Sequence, residues 1–93
     1  MTLQSFDAFE QQARASGFDA VLRRDWAPRQ AVGEHTHPFA AHALVVEGEM
    51  WLTVDGRTRH LGPGDTFDLA PGTAHSERYG EAGATYWVAR RGG

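Results

Sequence analysis

The chain has 93 residues, enough for one domain. A domain this small buries only about 60–65% of its unfolded surface, so a bound metal or a second copy would add to its stability. It contains no Cys and no Lys, which excludes disulfide stapling, zinc–thiolate sites, thiol nucleophiles, Schiff-base lysines and a P-loop.

Hydrophobic residues make up 41%, with three Trp, five Phe and two Tyr, which suits one packed core rather than a disordered chain. The net charge is −3, and the nine Arg form no basic stripe that would suggest nucleic acid. Neither a basic start with an apolar run nor a stretch near the ~20 apolar residues of a membrane span is present. The expectation is a cytoplasmic protein that binds neither nucleic acid nor membrane.

Residues 5–16 predict a short helix. Ser5 is a suitable N-cap, Asp7 and Glu10 sit early, and Gly17 follows as a stop. Phe6, Phe9 and Ala13 share one face, which reads as a lid packed on the rest of the chain. The expected units are this helical segment, residues 1–17, and a β domain, residues 18–93.

After Gly17 the texture changes to short β-rich runs: 19–25, 31–37, 41–47, 50–55, 58–61, 66–70, 75–79 and 84–90. Turn signals separate them at Ala27-Pro28, Glu47-Gly48, Asp55-Gly56, Gly62-Pro63-Gly64-Asp65, Pro71-Gly72 and Gly80 to Gly83. Asp55-Gly56 between Trp51–Val54 and Arg57–Leu61 predicts a two-residue hairpin. Short strands at this spacing predict an all-β sandwich or barrel. Alternation turns Met50, Leu52, Val54, Phe67 and Leu69 inward and Trp51 outward, where a Trp suits an interface.

His35 and His37 are one residue apart, so on a strand both rings point to one face. His75 opens a later strand after a tight turn, and two such strands can face each other across a barrel interior. Three imidazoles with an open position make a metal site with room for substrate or water. Taken alone, an H-x-H pair is more often a pair of solvent-facing or hydrogen-bonded histidines than a metal site.

The surroundings are informative. Gly33-Glu34-His35-Thr36-His37-Pro38 leads to Val45-Val46-Glu47-Gly48-Glu49. Gly62-Pro63-Gly64-Asp65 then leads through Thr66–Leu69 to Pro71-Gly72-Thr73-Ala74-His75. Over roughly residues 20–90 this resembles the two-part signature of the small, single-domain bacterial-type cupins. The resemblance implies an all-β double-stranded β-helix (jelly-roll) barrel with a short N-terminal helix. It also implies a metal on His35, His37 and His75, and a homodimer with paired edge strands.

The chain departs from the family pattern where a Glu ligand usually stands, seven residues before Gly48; here that residue is Ala41. His42 follows it, on the outer face by alternation, unless a bulge rotates it inward as a fourth ligand. Tyr79 and Ala70 replace the family's usual Asn and Pro. A three-His set leaves vacant coordination positions, as in some cupin dioxygenases, and Fe, Zn, Ni and Mn all accept imidazole.

Among the other residues, His60 reads as surface. Glu77 shares parity with His75 and Tyr79, and reads either as an acceptor or general base beside the metal or as a rim carboxylate in solvent. Phe39 reads as pocket mouth or core. Arg23-Arg24 and Arg90-Arg91 read as solvated strand or tail positions. The function expected from these readings is a small metalloenzyme, dioxygenase- or isomerase-like, acting on a small polar metabolite. The alternatives are a non-catalytic ligand-binding or sensory module and a metal that only stabilises the fold.

Overall fold

In the computed structural model, which describes residues 4–92, one helix and six strands follow in chain order. They are α1 (Phe6–Ala15), β1 (Ala20–Trp26), β2 (Ala31–His35), β3 (Ala40–Val54), β4 (Arg57–Leu61), β5 (Thr66–Leu69) and β6 (His75–Arg91). The helix begins as expected, with the Ser5 hydroxyl accepting from the Ala8 N–H at 3.1 Å. The Asp55-Gly56 hairpin also forms. Both residues have positive φ, 52° and 73°, as a type I′ turn requires, and Val54 pairs with Arg57.

Two turn signals do not end strands; they bend them. Glu47-Gly48 lies inside β3, and Gly80 to Gly83 lies inside β6, so four expected strands are two long ones. The pairing register slips around both glycine corners, between Val45 and Glu47 and between Gly48 and Met50. Gly48 has φ 73°, and a Cβ there would run into the Gly83 carbonyl oxygen. Gly83 has φ 74°, and a Cβ there would meet the Trp26 carbonyl oxygen. The two backbones therefore cross at the corner too closely for any side chain.

The bends fold one hydrogen-bonded sheet over itself. The N-terminal half of β3 and the C-terminal half of β6 pair centrally, flanked by β5 and β1. The other halves of the same strands also pair, flanked by β4 and β2. Side chains from both layers meet in one core: Ala43, Val45, Phe67 and Tyr86 from the first, Met50, Leu52, Leu61 and Tyr79 from the second. Met50, Leu52, Phe67 and Leu69 are buried as alternation predicts. The α1 helix packs on the outside of the first layer, where Phe9 and Ala13 bury against Leu44 and Ala89.

Trp51 faces outward as expected. It is stacked on His60 at 4.8 Å between ring centroids, and the Arg78 guanidinium lies 4.2 Å from its ring. No described helix is long and apolar enough to cross a membrane.

Candidate metal centre

The strand carrying His35 ends there, so His37 is not on a strand but in the loop that follows. Strand alternation therefore does not set the direction of the His37 ring, contrary to the expectation of a shared strand face. His37 is held instead by its carbonyl, which accepts from the Gly72 N–H at 2.8 Å. Gly72 belongs to the tight turn before β6 and has φ 78°. His75 opens β6 and pairs directly with His35 across β2 and β6. The two rings are thus cross-strand neighbours of one layer, rather than residues facing across the barrel.

These local constraints gather three imidazoles. Ring centroids lie 4.2 Å apart for His35–His75, 4.8 Å for His35–His37 and 5.2 Å for His37–His75. One ligand nitrogen from each lies within 4.8 Å of the others. His35 Nδ1 is 2.7 Å from the Gly33 carbonyl, and His75 Nδ1 is 2.9 Å from the Thr73 carbonyl. A carbonyl only accepts, so in both rings Nδ1 carries the proton and Nε2 presents a lone pair. This arrangement is how metal-binding imidazoles are oriented. Burial, followed by the neighbouring His35 and His75, holds the His37 pKa below its usual value, which favours the neutral ring that a cation needs. A set of neutral imidazoles without thiolate suits Fe, Zn, Ni or Mn, so the residues present fit a divalent transition metal.

Glu77 is buried, not a rim carboxylate in solvent. Its Oε1 accepts from the Tyr79 hydroxyl at 2.6 Å and, more weakly, from the Tyr86 hydroxyl at 3.4 Å. Burial raises both phenol pKa values, that of Tyr86 to about 12, so both remain donors at neutral pH. The other oxygen, Oε2, is 3.7 Å from His35 Nε2 and 4.0 Å from His75 Nε2. Parity with His75 was the sequence signal for this residue.

His42 points away from the site. It stacks on Phe9 of α1 with 6.0 Å between centroids, and its Nδ1 donates to Asp68 at 2.7 Å. The regular pairing of β3 with β5 through Ala41, His42 and Ala43 leaves no bulge to rotate it. His60 donates to Glu49 at 2.7 Å on the surface. Ala41 faces the site and offers no donor atom.

The three histidines open onto a pocket of about 160 Å³. Phe39 lines it and is half-buried, with the Arg90 guanidinium 4.8 Å from its ring. The two arginine pairs do not behave as units. Arg24 and Arg90 line the pocket, whereas Arg23 pairs with Asp25 outside and Arg91 lies over Phe18. Strand alternation splits each pair, because successive residues of β1 and β6 point to opposite faces. Arg90 Nε is buried and has no hydrogen-bond partner among the described residues. The histidines thus belong to one layer and its adjoining loop, and the two arginines to the facing layer.

Solved structures of the same fold include a DMSP lyase, DddQ from Ruegeria pomeroyi, at 26% identity and a TM-score of 0.65. That match covers 77% of this chain but only 36% of the lyase, so the chain spans little more than a third of that enzyme. An RmlC-like cupin from Shewanella frigidimarina matches at 24% identity and a TM-score of 0.68, covering 77% of this chain and 65% of the other. A protein of unknown function from Rhizobium leguminosarum matches over 100% of both chains at 23% identity and a TM-score of 0.74. No curated protein matches. The family described as the AraC-like ligand binding domain matches residues 18–92, nearly the whole chain. This chain is therefore a small cupin, and it belongs to the AraC-like ligand binding domain family.

Proposed function

We propose that this cupin holds a divalent transition metal through His35, His37 and His75 and uses it to bind and transform a small organic anion. The observation that supports this reading is the pocket itself. Three oriented imidazoles stand in one layer, and Arg24 and Arg90 stand in the layer facing them. The metal would act as a Lewis acid that orients and polarises the ligand. Arg90, with an unpaired Nε, supplies donors for a carboxylate or similar anion. Phe39, Phe67 and Leu69 line the pocket with apolar surface and exclude water from the ligand's carbon frame. The reaction class proposed is that of a dioxygenase or isomerase. The fold shared with a DMSP lyase adds elimination to the reactions worth assaying.

The test begins with the metal content of protein purified without an affinity His tag, followed by turnover assays with small organic acids. Stoichiometric metal and oxygen uptake after anaerobic Fe(II) loading support a dioxygenase. Absence of any metal after incubation with Fe(II), Zn(II), Ni(II) or Mn(II) refutes the reading. The family membership favours a second reading, a non-catalytic sensor of the same ligand. A co-purified small anion in native mass spectrometry, with no turnover under any metal, would establish that one instead.

A further inference from the structure

The pocket wall formed by β1 and β6 has an ordered chemistry. Alternation turns Leu22, Arg24 and Trp26 of β1 and Tyr86, Val88 and Arg90 of β6 into the pocket, and all six line it. The register sets them in levels: Arg24 beside Tyr86, then Leu22 beside Val88, then Ala20 beside Arg90. The wall therefore reads guanidinium, apolar pair, guanidinium, and the two arginine backbones stand roughly 13 Å apart along the strands. Each guanidinium lies against its own ring, Arg24 at 4.9 Å from Trp26 and Arg90 at 4.8 Å from Phe39. Trp26 pairs with Ala84, whereas Phe39 precedes Ala40, which pairs with Arg91, so the rings stand toward opposite ends of this half of β6. Arg14, Arg23 and Arg29 each have a carboxylate within 4.0 Å. Among the described residues, neither Arg24 nor Arg90 has one, and neither donates a side-chain hydrogen bond. Two guanidiniums against one lining carboxylate, Glu77, leave the pocket net positive before any ion enters.

From this order we infer that the pocket takes a short dianion with an anionic group at each end, of the class of the α,ω-dicarboxylic acids. One carboxylate sits on Arg24, the other on Arg90, and the methylene chain lies against Leu22 and Val88. The inference rests on the small-anion reading proposed above, but it does not need the metal. A planar guanidinium takes a carboxylate through two N–H groups. A single carboxylate reaches only one of two guanidiniums anchored on separate rings, and it leaves the other charge unmatched. The apolar level between them suits a hydrocarbon middle, and a pocket of about 160 Å³ keeps that middle short. The chain then lies across from the histidine layer. Arg90 is half-buried and Arg24 exposed, so Arg90 carries more of the affinity and Arg24 the preference for a second charge.

The experiment is isothermal titration calorimetry on the full chain, loaded with Zn(II) and again after chelation. Succinate, glutarate and adipate are compared with butyrate, pentanoate and hexanoate. The expected result is a dicarboxylate that binds at least about tenfold tighter than the monocarboxylate of equal length, the worth of one charged hydrogen-bonded contact. That preference should hold with and without Zn(II). Arg24→Gln and Arg90→Gln should each abolish it, Arg90→Gln with the larger loss of affinity, and circular dichroism checks that both variants fold. Equal affinities for the matched acids in wild type overturn the inference without any variant, and leave the small-anion reading standing. A preference that survives either variant, or that appears only with Zn(II), places the second carboxylate elsewhere and overturns it as well. No binding of any acid, with or without Zn(II), overturns the small-anion reading and the inference together. If the preference holds but Zn(II) does not bind, the metal reading falls alone and the inference stands.

Discussion

At the scale of single residues, the proposed metal reading sets protons and metal in competition for the same nitrogens. Three imidazoles must each be neutral to bind, so metal affinity should fall steeply below about pH 6. A titration of affinity from pH 5 to 8 checks this, and an affinity that is flat between pH 5 and 7 would mean that imidazoles are not the ligands. Without metal, His37 has its own effect. Its pKa in the fold is lowered by burial and by its two histidine neighbours. Above an unfolded value of about 6.5 both states are neutral and nothing is gained or lost. Below it the unfolded chain takes up a proton that the fold resists, so stability falls as pH falls. The melting temperature of metal-free protein should therefore drop from pH 7 to pH 5, and His37→Ala should reduce the drop. With metal present at about 100 times its Kd, binding adds about 2.7 kcal/mol. Chelation should remove that from wild type and have no effect on His37→Ala.

At the scale of elements, the two bent strands carry the architecture. Gly48 and Gly83 stand where β3 and β6 cross, and each would place a Cβ against backbone of a neighbouring element. Gly48→Ala should cost at least about 1–3 kcal/mol from positive φ alone, with the clash adding to it. A urea denaturation midpoint measures this, and an unchanged midpoint would show that the corner can relax. These glycines were legible as punctuation but not as bends. A Gly-containing signal reads the same whether the chain reverses or turns a corner within a continuous strand, because both need the same backbone freedom. Pro71-Gly72 was legible as a tight turn. Its further role, holding the His37 carbonyl through Gly72, is a contact between residues far apart in sequence.

At the scale of the whole molecule, the outer edge of β1 is unpaired among the described residues. Such an edge, together with an outward Trp51 stacked between His60 and Arg78, suits a self-association surface. A homodimer is expected by light scattering at micromolar concentration, and Trp51→Glu should convert it to monomer with the fold intact. A monomeric wild type would overturn this expectation.

Features whose causes are local can be read from the residues alone. The Asp55-Gly56 hairpin follows from two residues that accept positive φ. The helix start follows from Ser5, and the inward faces of Met50, Leu52, Phe67 and Leu69 follow from period-two alternation. Motif spacing also singled out His35, His37 and His75 as a group, though it wrongly placed His37 on a strand. What these faces meet is set by the packing of distant strands. Alternation predicts that His42 opposes Ala41, but that it stacks beneath Phe9 depends on where α1 docks. It splits Arg23 from Arg24 and Arg90 from Arg91, yet which member meets the histidines depends on the fold of one layer over the other. Glu77 could be assigned a face from His75, but its burial, its second phenol partner Tyr86 and its approach to His35 come from the far half of β6 and from β2. The physical reason is the same in each case. Backbone geometry sets side-chain direction over a few residues, while burial and partnership depend on strands brought together across tens of residues.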